Sequence, residues 1–197
     1  MSTVSGSDST RPPASGVRLT YDDFVQFPDD GKRHELIDGE HVVTAAPNTR
    51  HQRVVTRLTG LLWSFVQGRR LGEVFVAPFD VVLSDTDVVE PDLLFVSPAR
   101  AADTLTDANM RGAPDLVVEV GSPSTRKVDE TTKRRLYERY GVGEYWVVDP
   151  ELDEVKVYRR AGDRFERVAL LSAEQGDVLT SPLFPGLELP LTDVFAE

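Results

Sequence analysis

Two short apolar runs in this chain each carry a carboxylate, and this pairing limits the folds that the chain can adopt. One run extends from Pro91 to Val96 and has Asp92 near its start; the other extends from Pro114 to Val120 and contains Glu119. Apolar runs of this length predict buried strands, where an unpaired carboxylate is costly. Two carboxylates on neighbouring strands could share a divalent cation, which would offset that cost.

The rest of the pattern predicts an α/β (α+β) domain with a central mixed sheet flanked by helices. The Asp38-Gly39 pair predicts a hairpin over residues 34–43. Asn48 is expected to cap a long helix that ends near Gln67, and a second helix is expected from Lys127 to Tyr140. The predicted strands lie at residues 73–77, 80–84, 93–96, 116–120, 145–148, 155–158 and 165–171.

The domain boundaries follow from composition. Residues 1–16 are rich in Ser, Thr, Pro and Gly and have no hydrophobic pattern, so we expect a disordered tail. The remaining residues, 17–197, are expected to form a single domain, since the chain of 197 residues has the length of one domain.

Composition also indicates a location. The chain has no cysteine, which excludes disulfides and thiolate metal sites. No apolar stretch is long enough to span a bilayer, and the N-terminus lacks the cationic and apolar pattern of a signal peptide. We therefore expect a cytoplasmic protein without membrane contact.

The charge distribution gives two opposing indications about partners. A net charge of -11 argues against nucleic acid, whose phosphates attract clustered lysine and arginine. However, residues 41–72 contain no Asp or Glu. Within them Arg50, Arg53 and Arg57 share one helix face by their spacing. That face could contact a nucleic-acid backbone, or it could be an ordinary solvated helix face.

A series of short motifs, in a fixed order, resembles a known family. The motifs are Glu35-Leu36-Ile37-Asp38-Gly39, His51, Pro91-Asp92, Glu119 with Ser122-Pro123-Ser124-Thr125, Asp129 with Lys133 and Tyr137, and residues 144–150 (Glu-Tyr-Trp-Val-Val-Asp-Pro). The series resembles the Uma-type restriction endonuclease family, formerly a domain of unknown function. That family belongs to the PD-(D/E)XK nuclease-like superfamily. The resemblance extends over roughly Tyr21 to Val194.

The resemblance implies a restriction-endonuclease-like core and a metal-dependent endonuclease that hydrolyses nucleic-acid phosphodiester bonds, with DNA favoured over RNA. It implies that Asp92 and Glu119 are catalytic and bind Mg²⁺ or Mn²⁺, with the backbone carbonyl of Val120 as a further ligand. It also implies a homodimer, because cutting both strands of a duplex would need two active sites.

One departure from the superfamily pattern concerns the catalytic lysine. The superfamily places a lysine two residues after the second acid, where this chain has Gly121. In the family that this chain resembles, the lysine has moved to the following helix. This points to Lys133 as the catalytic lysine, with Lys127 as the alternative.

Each candidate residue also has a purely structural interpretation. Asp92 could cap a turn, Glu119 could form a buried ion pair with an arginine, and Lys133 could be an ordinary surface lysine. Glu35 is either a further acidic site residue or a surface residue of the hairpin. His51 faces inward and is either a catalytic residue or a satisfied core histidine.

Two other functions remain open at the level of sequence. The domain could be a nuclease-like fold that is retained as a binding or regulatory module without catalysis, which the acidic net charge favours. It could also be a phosphodiesterase that acts on a smaller nucleotide substrate, for which no long basic groove is needed.

Overall fold

The chain alternates short strands with a few helices. The computed structural model describes residues 17–28, 30–44, 46–122 and 125–196. In chain order the elements are α1 (Tyr21–Phe24), β1 (Arg33–Ile37), β2 (Glu40–Thr44), α2 (Thr49–Arg69), β3 (Glu73–Val76), β4 (Val81–Ser84), β5 (Asp87–Val89), β6 (Leu93–Val96), α3 (Pro98–Thr104), β7 (Met110–Arg111), β8 (Leu116–Val120), α4 (Arg126–Val128), a π-helical turn (Asp129–Lys133), α5 (Arg134–Tyr140), β9 (Glu144–Asp149), β10 (Glu154–Ala161), β11 (Arg164–Ser172), β12 (Val178–Leu179), β13 (Leu189–Pro190) and α6 (Leu191–Phe195).

Two mixed β-sheets form the centre of the domain. The strand order in the larger sheet is β11-β10-β9-β8-β6-β3, and in the smaller sheet it is β2-β1-β5-β4-β7. In the larger sheet β8 and β9 run parallel, while β6 runs antiparallel to β8. In the smaller sheet β4 and β7 run parallel. The predicted α/β domain with a mixed sheet flanked by helices is confirmed, and its division between two sheets is new.

The larger sheet is covered on both faces, which decides where its side chains point. On one face Leu58 of α2 belongs to the same buried cluster as Val118 of β8. On the other face Tyr137 of α5 belongs to a cluster with Val117. Because side chains alternate along a strand, Glu119 shares the face of Val117. Its carboxylate therefore points toward α5 and the smaller sheet.

Helix α2 begins as predicted but ends later. The side-chain oxygen of Asn48 accepts a hydrogen bond from the backbone N–H of His51 at 2.9 Å, which confirms the predicted cap. The predicted end near Gln67 is wrong, because the helix continues through Gly68 to Arg69. A glycine costs only about 1 kcal/mol in an exposed helix turn, so Gly68 does not stop the helix. Arg70 ends it in a left-handed conformation, with φ of 55°.

The second long helix contains an irregular turn that the sequence did not reveal. It runs without a break from Arg126 to Tyr140 and includes the π turn Asp129–Lys133. Gly141 follows with a φ of 83° and ends the helix as predicted. The π turn places Asp129 and Lys133 on the same buried side.

The predicted hairpin is confirmed, and a strand that was not predicted anchors it. Strands β1 and β2 pair with Ile37 opposite Glu40. Strand β5 pairs with β1 through Leu36 and Val88. Strand β5 is only three residues long, which is too short for its apolar alternation to be recognised. Its pairing carries β1, and with it Glu35, into the interior.

The predicted disordered tail, residues 1–16, lies outside the described residues. In the ranges that the structure describes, none of the helices has the length and apolar character needed to cross a membrane.

Candidate active site

Asp92 and Glu119 are neighbours at one end of the larger sheet. Asp92 directly precedes β6, and Glu119 is the fourth residue of β8. The two strands are antiparallel with Leu93 opposite Val118, so the next residues outward from that pair are Asp92 and Glu119. Both side chains are buried, each with 2% of its surface exposed.

Lys133 links Glu119 to a third carboxylate, that of Glu35. Its Nζ donates to Oε1 of Glu35 at 2.9 Å and to Oε1 of Glu119 at 3.0 Å. The hydroxyl of Tyr137, one turn further along the helix, donates to the same Oε1 of Glu119 at 2.6 Å. All four side chains are buried. Lys133 is therefore not a surface lysine, and the ion-pair partner of Glu119 is a lysine rather than an arginine.

Asp92 has a separate set of partners from three other parts of the chain. Nη2 of Arg33 donates to Oδ1 of Asp92 at 2.8 Å. The backbone N–H of Val120 donates to Oδ2 at 2.8 Å, and Nε2 of His51 lies 3.3 Å from the same oxygen. The carboxylate of Asp92 thus makes contacts with residues distant in sequence instead of capping the turn after Pro91.

Two local features direct these side chains to one place. Arg33 and Glu35 are two residues apart in β1 and therefore share one face of the strand. Asp129 and Lys133 stand at the two ends of the π turn and are both buried. Such turns interrupt α-helices frequently at functional sites. Strand β1 thus brings Arg33 to Asp92 and Glu35 to Lys133.

Negative charge exceeds positive charge in this cluster. Lys133 is buried and the side chain of Arg33 is 19% exposed. Close to these two cations are four buried carboxylates, which belong to Glu35, Asp92, Glu119 and Asp129. Because an uncompensated buried charge is costly, such a group of carboxylates must bind protons or a cation.

The pKa values of the buried carboxyls shift in opposite directions: those of Glu119 and Asp129 are raised, and that of Asp92 is lowered. Burial raises the pKa of Glu119 to about 8, with Lys133 opposing the shift and the charge of Asp129 adding to it. Burial likewise raises the pKa of Asp129 to about 6. Burial also disfavours the charge of Asp92, but the hydrogen bond from His51 and the charge of Arg33 outweigh it, and its pKa is lowered to about 2. The two neighbouring carboxyls thus differ: Asp92 loses its proton more readily than an exposed aspartate, and Glu119 loses its proton less readily than an exposed glutamate.

The chemistry of these oxygen donors fits a hard divalent cation such as Mg²⁺ or Mn²⁺. Oε2 of Glu35 is buried and has no hydrogen-bond partner among the described residues, so a cation would satisfy it. The cation would also supply the missing positive charge and replace the proton on Glu119. Among the described residues, however, no group of three or more His, Cys, Asp or Glu side chains is already arranged around one point. Some rearrangement must therefore accompany binding.

The family assignment agrees with this geometry. A family model described as "Uma2: Putative restriction endonuclease" matches residues 21–192. The chain belongs to the Uma2 family. No curated protein matches the chain.

Two solved structures are similar to this Uma2 chain, and the first of them supports the fold. One is the crystal structure of "a putative nuclease belonging to DUF820" from Anabaena variabilis, with a TM-score of 0.75 and 21% sequence identity. The matched region covers 90% of this chain and 98% of the Anabaena variabilis chain. A second is the type IIG restriction endonuclease BpuSI, with a TM-score of 0.41 and 14% sequence identity. Here the matched region covers 74% of this chain and 15% of the BpuSI chain. The first similarity and the two mixed sheets confirm the restriction-endonuclease-like fold.

Most of the predicted site residues lie together in this Uma2 structure. Asp92, Glu119, Lys133, Glu35 and His51 are all buried in one cluster, so Glu35 is not a surface residue of the hairpin. Val120 approaches Asp92 through its N–H, and the role of its carbonyl as a ligand stays a prediction. The alternative lysine, Lys127, is exposed.

The three arginines of α2 that were predicted to bind nucleic acid differ in their exposure and contacts. Arg50 donates to the carbonyl of Pro150 and to Oδ1 of Asp153, so part of its hydrogen-bonding capacity is used within the chain. Arg53 is exposed and Arg57 is half-buried. Their predicted contact with a nucleic-acid backbone stays a prediction.

Three residues of the cluster were not predicted as site residues. Tyr137 appeared only as part of a motif, yet its hydroxyl donates to Glu119. Asp129 appeared only as part of a motif, and Arg33 was not singled out. The signal for Arg33 was its place two residues before Glu35, since alternate residues of a strand share a face. Tyr137 and Asp129 could have been recognised from their spacing of four on either side of Lys133.

Proposed function

We propose that this protein is a metal-dependent endonuclease that hydrolyses phosphodiester bonds of nucleic acid, DNA in preference to RNA. The observation that carries the proposal is the buried cluster of Asp92, Glu119, Glu35 and Lys133, which has more carboxylates than cations. Its occurrence in a chain of the Uma2 family supports a nuclease over other metal-dependent enzymes.

Asp92 and Glu119 would hold the ion, with the carbonyl of Val120 and the unpartnered Oε2 of Glu35 as further oxygen ligands. Mg²⁺ is the expected ion and Mn²⁺ the alternative, since both prefer oxygen ligands. When bound, the ion would activate a water molecule and stabilise negative charge on the scissile phosphate.

The other residues of the cluster would position these groups. The hydroxyl of Tyr137 fixes the carboxylate of Glu119, and the N–H of Val120 with His51 fixes that of Asp92. Lys133 would orient the attacking water or neutralise charge that develops on the phosphate. Its place between two carboxylates keeps it charged, because their negative charges raise its pKa although burial opposes the shift.

Arginines on α2 would contact the nucleic acid away from the reacting bond. We propose that Arg50, Arg53 and Arg57 bind the phosphate backbone, a kind of contact that positions the duplex without reading its sequence. For Arg50 this requires that it give up Asp153, a contact between exposed side chains that contributes little stability.

Incubation with supercoiled plasmid DNA tests the proposed reaction. Wild-type protein with Mg²⁺ or Mn²⁺ should convert the plasmid to nicked and linear forms, and EDTA should prevent this. Glu119→Gln should abolish cleavage, because a neutral amide is a much poorer ligand for a hard cation than a carboxylate. The control variant Lys127→Met, purified in the same way, should cleave the plasmid like the wild type, because Lys127 is exposed and lies outside the cluster. Cleavage that persists in EDTA would contradict metal dependence.

A second candidate function is a nuclease-like module that binds without catalysis. The absence of a preassembled ligand group among the described residues favours it, as does the net charge of -11. Binding of Mn²⁺ without cleavage of any DNA or RNA would support this candidate. Cleavage of small phosphodiesters alone would instead support a nucleotide phosphodiesterase.

Cutting both strands of a duplex leads to a further expectation about assembly. We propose a symmetric homodimer, in which each protomer supplies one active site and both use the same surface patch. Light scattering should give twice the mass of one 21.9 kDa chain. The mass of a single chain over a wide range of concentration would contradict the dimer.

A further inference from the structure

The second cation of the cluster, Arg33, is held less completely than Lys133. Nη2 of Arg33 donates to Oδ1 of Asp92 at 2.8 Å, while its Nε lies 4.0 Å from Glu90, beyond hydrogen-bond distance. Over the part of the chain that the structure describes, this is the one hydrogen bond that the guanidinium makes. Its only other contact there is the ion pair with Glu90, so its remaining N–H groups make no hydrogen bond to a described residue, although the side chain is only 19% exposed.

Lys133 differs in each of these respects. Its side chain is 6% exposed, and its Nζ contacts two buried carboxylates, those of Glu35 and Glu119. Lys133 is therefore fixed on both sides, whereas Arg33 is attached at one side and open to solvent at the other. Of the two cations, Arg33 is the one that can move without leaving several hydrogen bonds unmade.

A divalent cation and Arg33 would compete for the same atom. Oδ1 of Asp92 accepts the hydrogen bond from Arg33, and the other oxygen is already used by Val120 and His51. An ion that takes Oδ1 as a ligand repels the guanidinium and releases it beside the site. A guanidinium in that position matches a phosphate group, because its planar N–H donors bind two oxygens at once.

We propose that Arg33 binds the substrate phosphate, and that it holds Asp92 only until a divalent cation takes its place. The inference rests on the proposed function, since it requires an ion at Asp92 and a phosphate-containing substrate. It adds a substrate-binding residue to the site.

Binding of Mn²⁺ alone, measured by titration calorimetry, tests the first half of the proposal. Arg33→Gln should bind Mn²⁺ about tenfold more tightly than the wild type, because the ion no longer has to displace a charge-assisted hydrogen bond. Arg33→Lys keeps the positive charge and should stay close to the wild type. If Arg33 served only to hold the fold, Arg33→Gln would instead bind Mn²⁺ more weakly, and that result would overturn the proposal.

Binding of a short fluorescent DNA duplex tests the second half. With Ca²⁺ present to fill the oxygen-ligand site, Arg33→Gln should bind the duplex about tenfold more weakly than the wild type. The slope of log K against log salt concentration should also fall by about one, as expected for one lost phosphate contact. In EDTA, where Asp92 retains Arg33, the variant and the wild type should bind alike. A surface arginine would contribute equally under both conditions, so equal losses would overturn the proposal.

A matched control is Arg139→Gln. Arg139 also donates to a buried aspartate, Asp87, but that pair lies outside the cluster. The control should melt at a lower temperature and keep wild-type affinity for Mn²⁺ and for the duplex.

If the wild type binds no Mn²⁺, the proposed function fails; if the wild type binds Mn²⁺ and DNA but Arg33→Gln changes neither, only the role of Arg33 fails. If Arg33→Gln does not fold, Arg33→Lys decides alone. A lysine ammonium lacks the planar fork that binds two phosphate oxygens, so this variant should bind the duplex more weakly in Ca²⁺ but not in EDTA, and unchanged affinity would overturn the role.

Discussion

Replacing Lys133 by methionine should lower the free energy of unfolding by roughly 3–5 kcal/mol at neutral pH, which is the cost of removing one partner of a buried ion pair. The reason is geometric: Lys133 supplies a hydrogen bond to each of two buried carboxylates, Glu35 and Glu119. Without it, both must remain buried and uncompensated or take up protons. Urea unfolding of the metal-free protein, followed by circular dichroism, measures the change.

The same helix provides the control for this prediction. Lys127→Met removes an exposed lysine and should change stability by less than about 0.5 kcal/mol. The double variant Lys133→Met with Glu119→Gln should recover part of the loss, because one uncompensated carboxylate has been removed. A Lys133→Met protein as stable as the wild type would show that these buried contacts contribute nothing to folding.

The sequence predicted the parts of the site that break a local rule. A carboxylate between Val118 and Val120 contradicts the apolar pattern of a buried strand, and this contradiction identified Glu119. The missing lysine at Gly121 directed attention to the following helix, where Lys133 lies on the side that faces the sheet. Long elements were also predicted well, because α2 and the helix that ends at Tyr140 contain several periods of their apolar stripes.

The sequence did not predict contacts that depend on how distant elements pair. Arg33 reaches Asp92 only because β5, a three-residue strand, joins β1 to the interior. Strands this short show no recognisable period, so their pairing is not visible in the sequence. The π turn at Asp129–Lys133 was likewise not visible, since its residues look like those of any helix. The sequence thus indicated candidate residues for the site, while the tertiary pairing decided which of them meet.

The two neighbouring carboxyls, although similar in sequence context, should respond differently to replacement by their amides. Asp92→Asn should lower the free energy of unfolding by roughly 3–5 kcal/mol, because it leaves Arg33 beside a neutral group in a partly buried place. The amide would also direct its N–H₂ group at a donor, either Arg33 or the N–H of Val120. Glu119→Gln should instead make the metal-free protein more stable at pH 7, because the amide is neutral in both states, whereas burial disfavours the charge of the wild-type carboxyl in the folded state.

The pH dependence of stability provides a separate measure of Glu119. Its pKa in the folded protein is raised to about 8, from 4.5 for an exposed carboxyl. The folded state therefore binds the proton more tightly than the unfolded chain. The free energy of unfolding of the metal-free protein should consequently fall as the pH rises from about 4.5 to about 8. Glu119→Gln removes this part of the dependence, so the variant should become more stable than the wild type toward pH 8.

Metal binding then separates a catalytic site from a structural ion-pair network. Mn²⁺ should raise the melting temperature of the wild type, because an ion that binds only the folded state stabilises it. It should leave the melting temperatures of Asp92→Asn and Glu119→Gln unchanged, since each has lost a charged oxygen ligand. The rise for the wild type should be larger at pH 8 than at pH 6, because the ion must displace the proton of Glu119. If Mn²⁺ fails to stabilise the wild type at either pH and both amide variants melt far below it, the carboxylates serve the fold alone, and the nuclease mechanism through Asp92 and Glu119 is excluded.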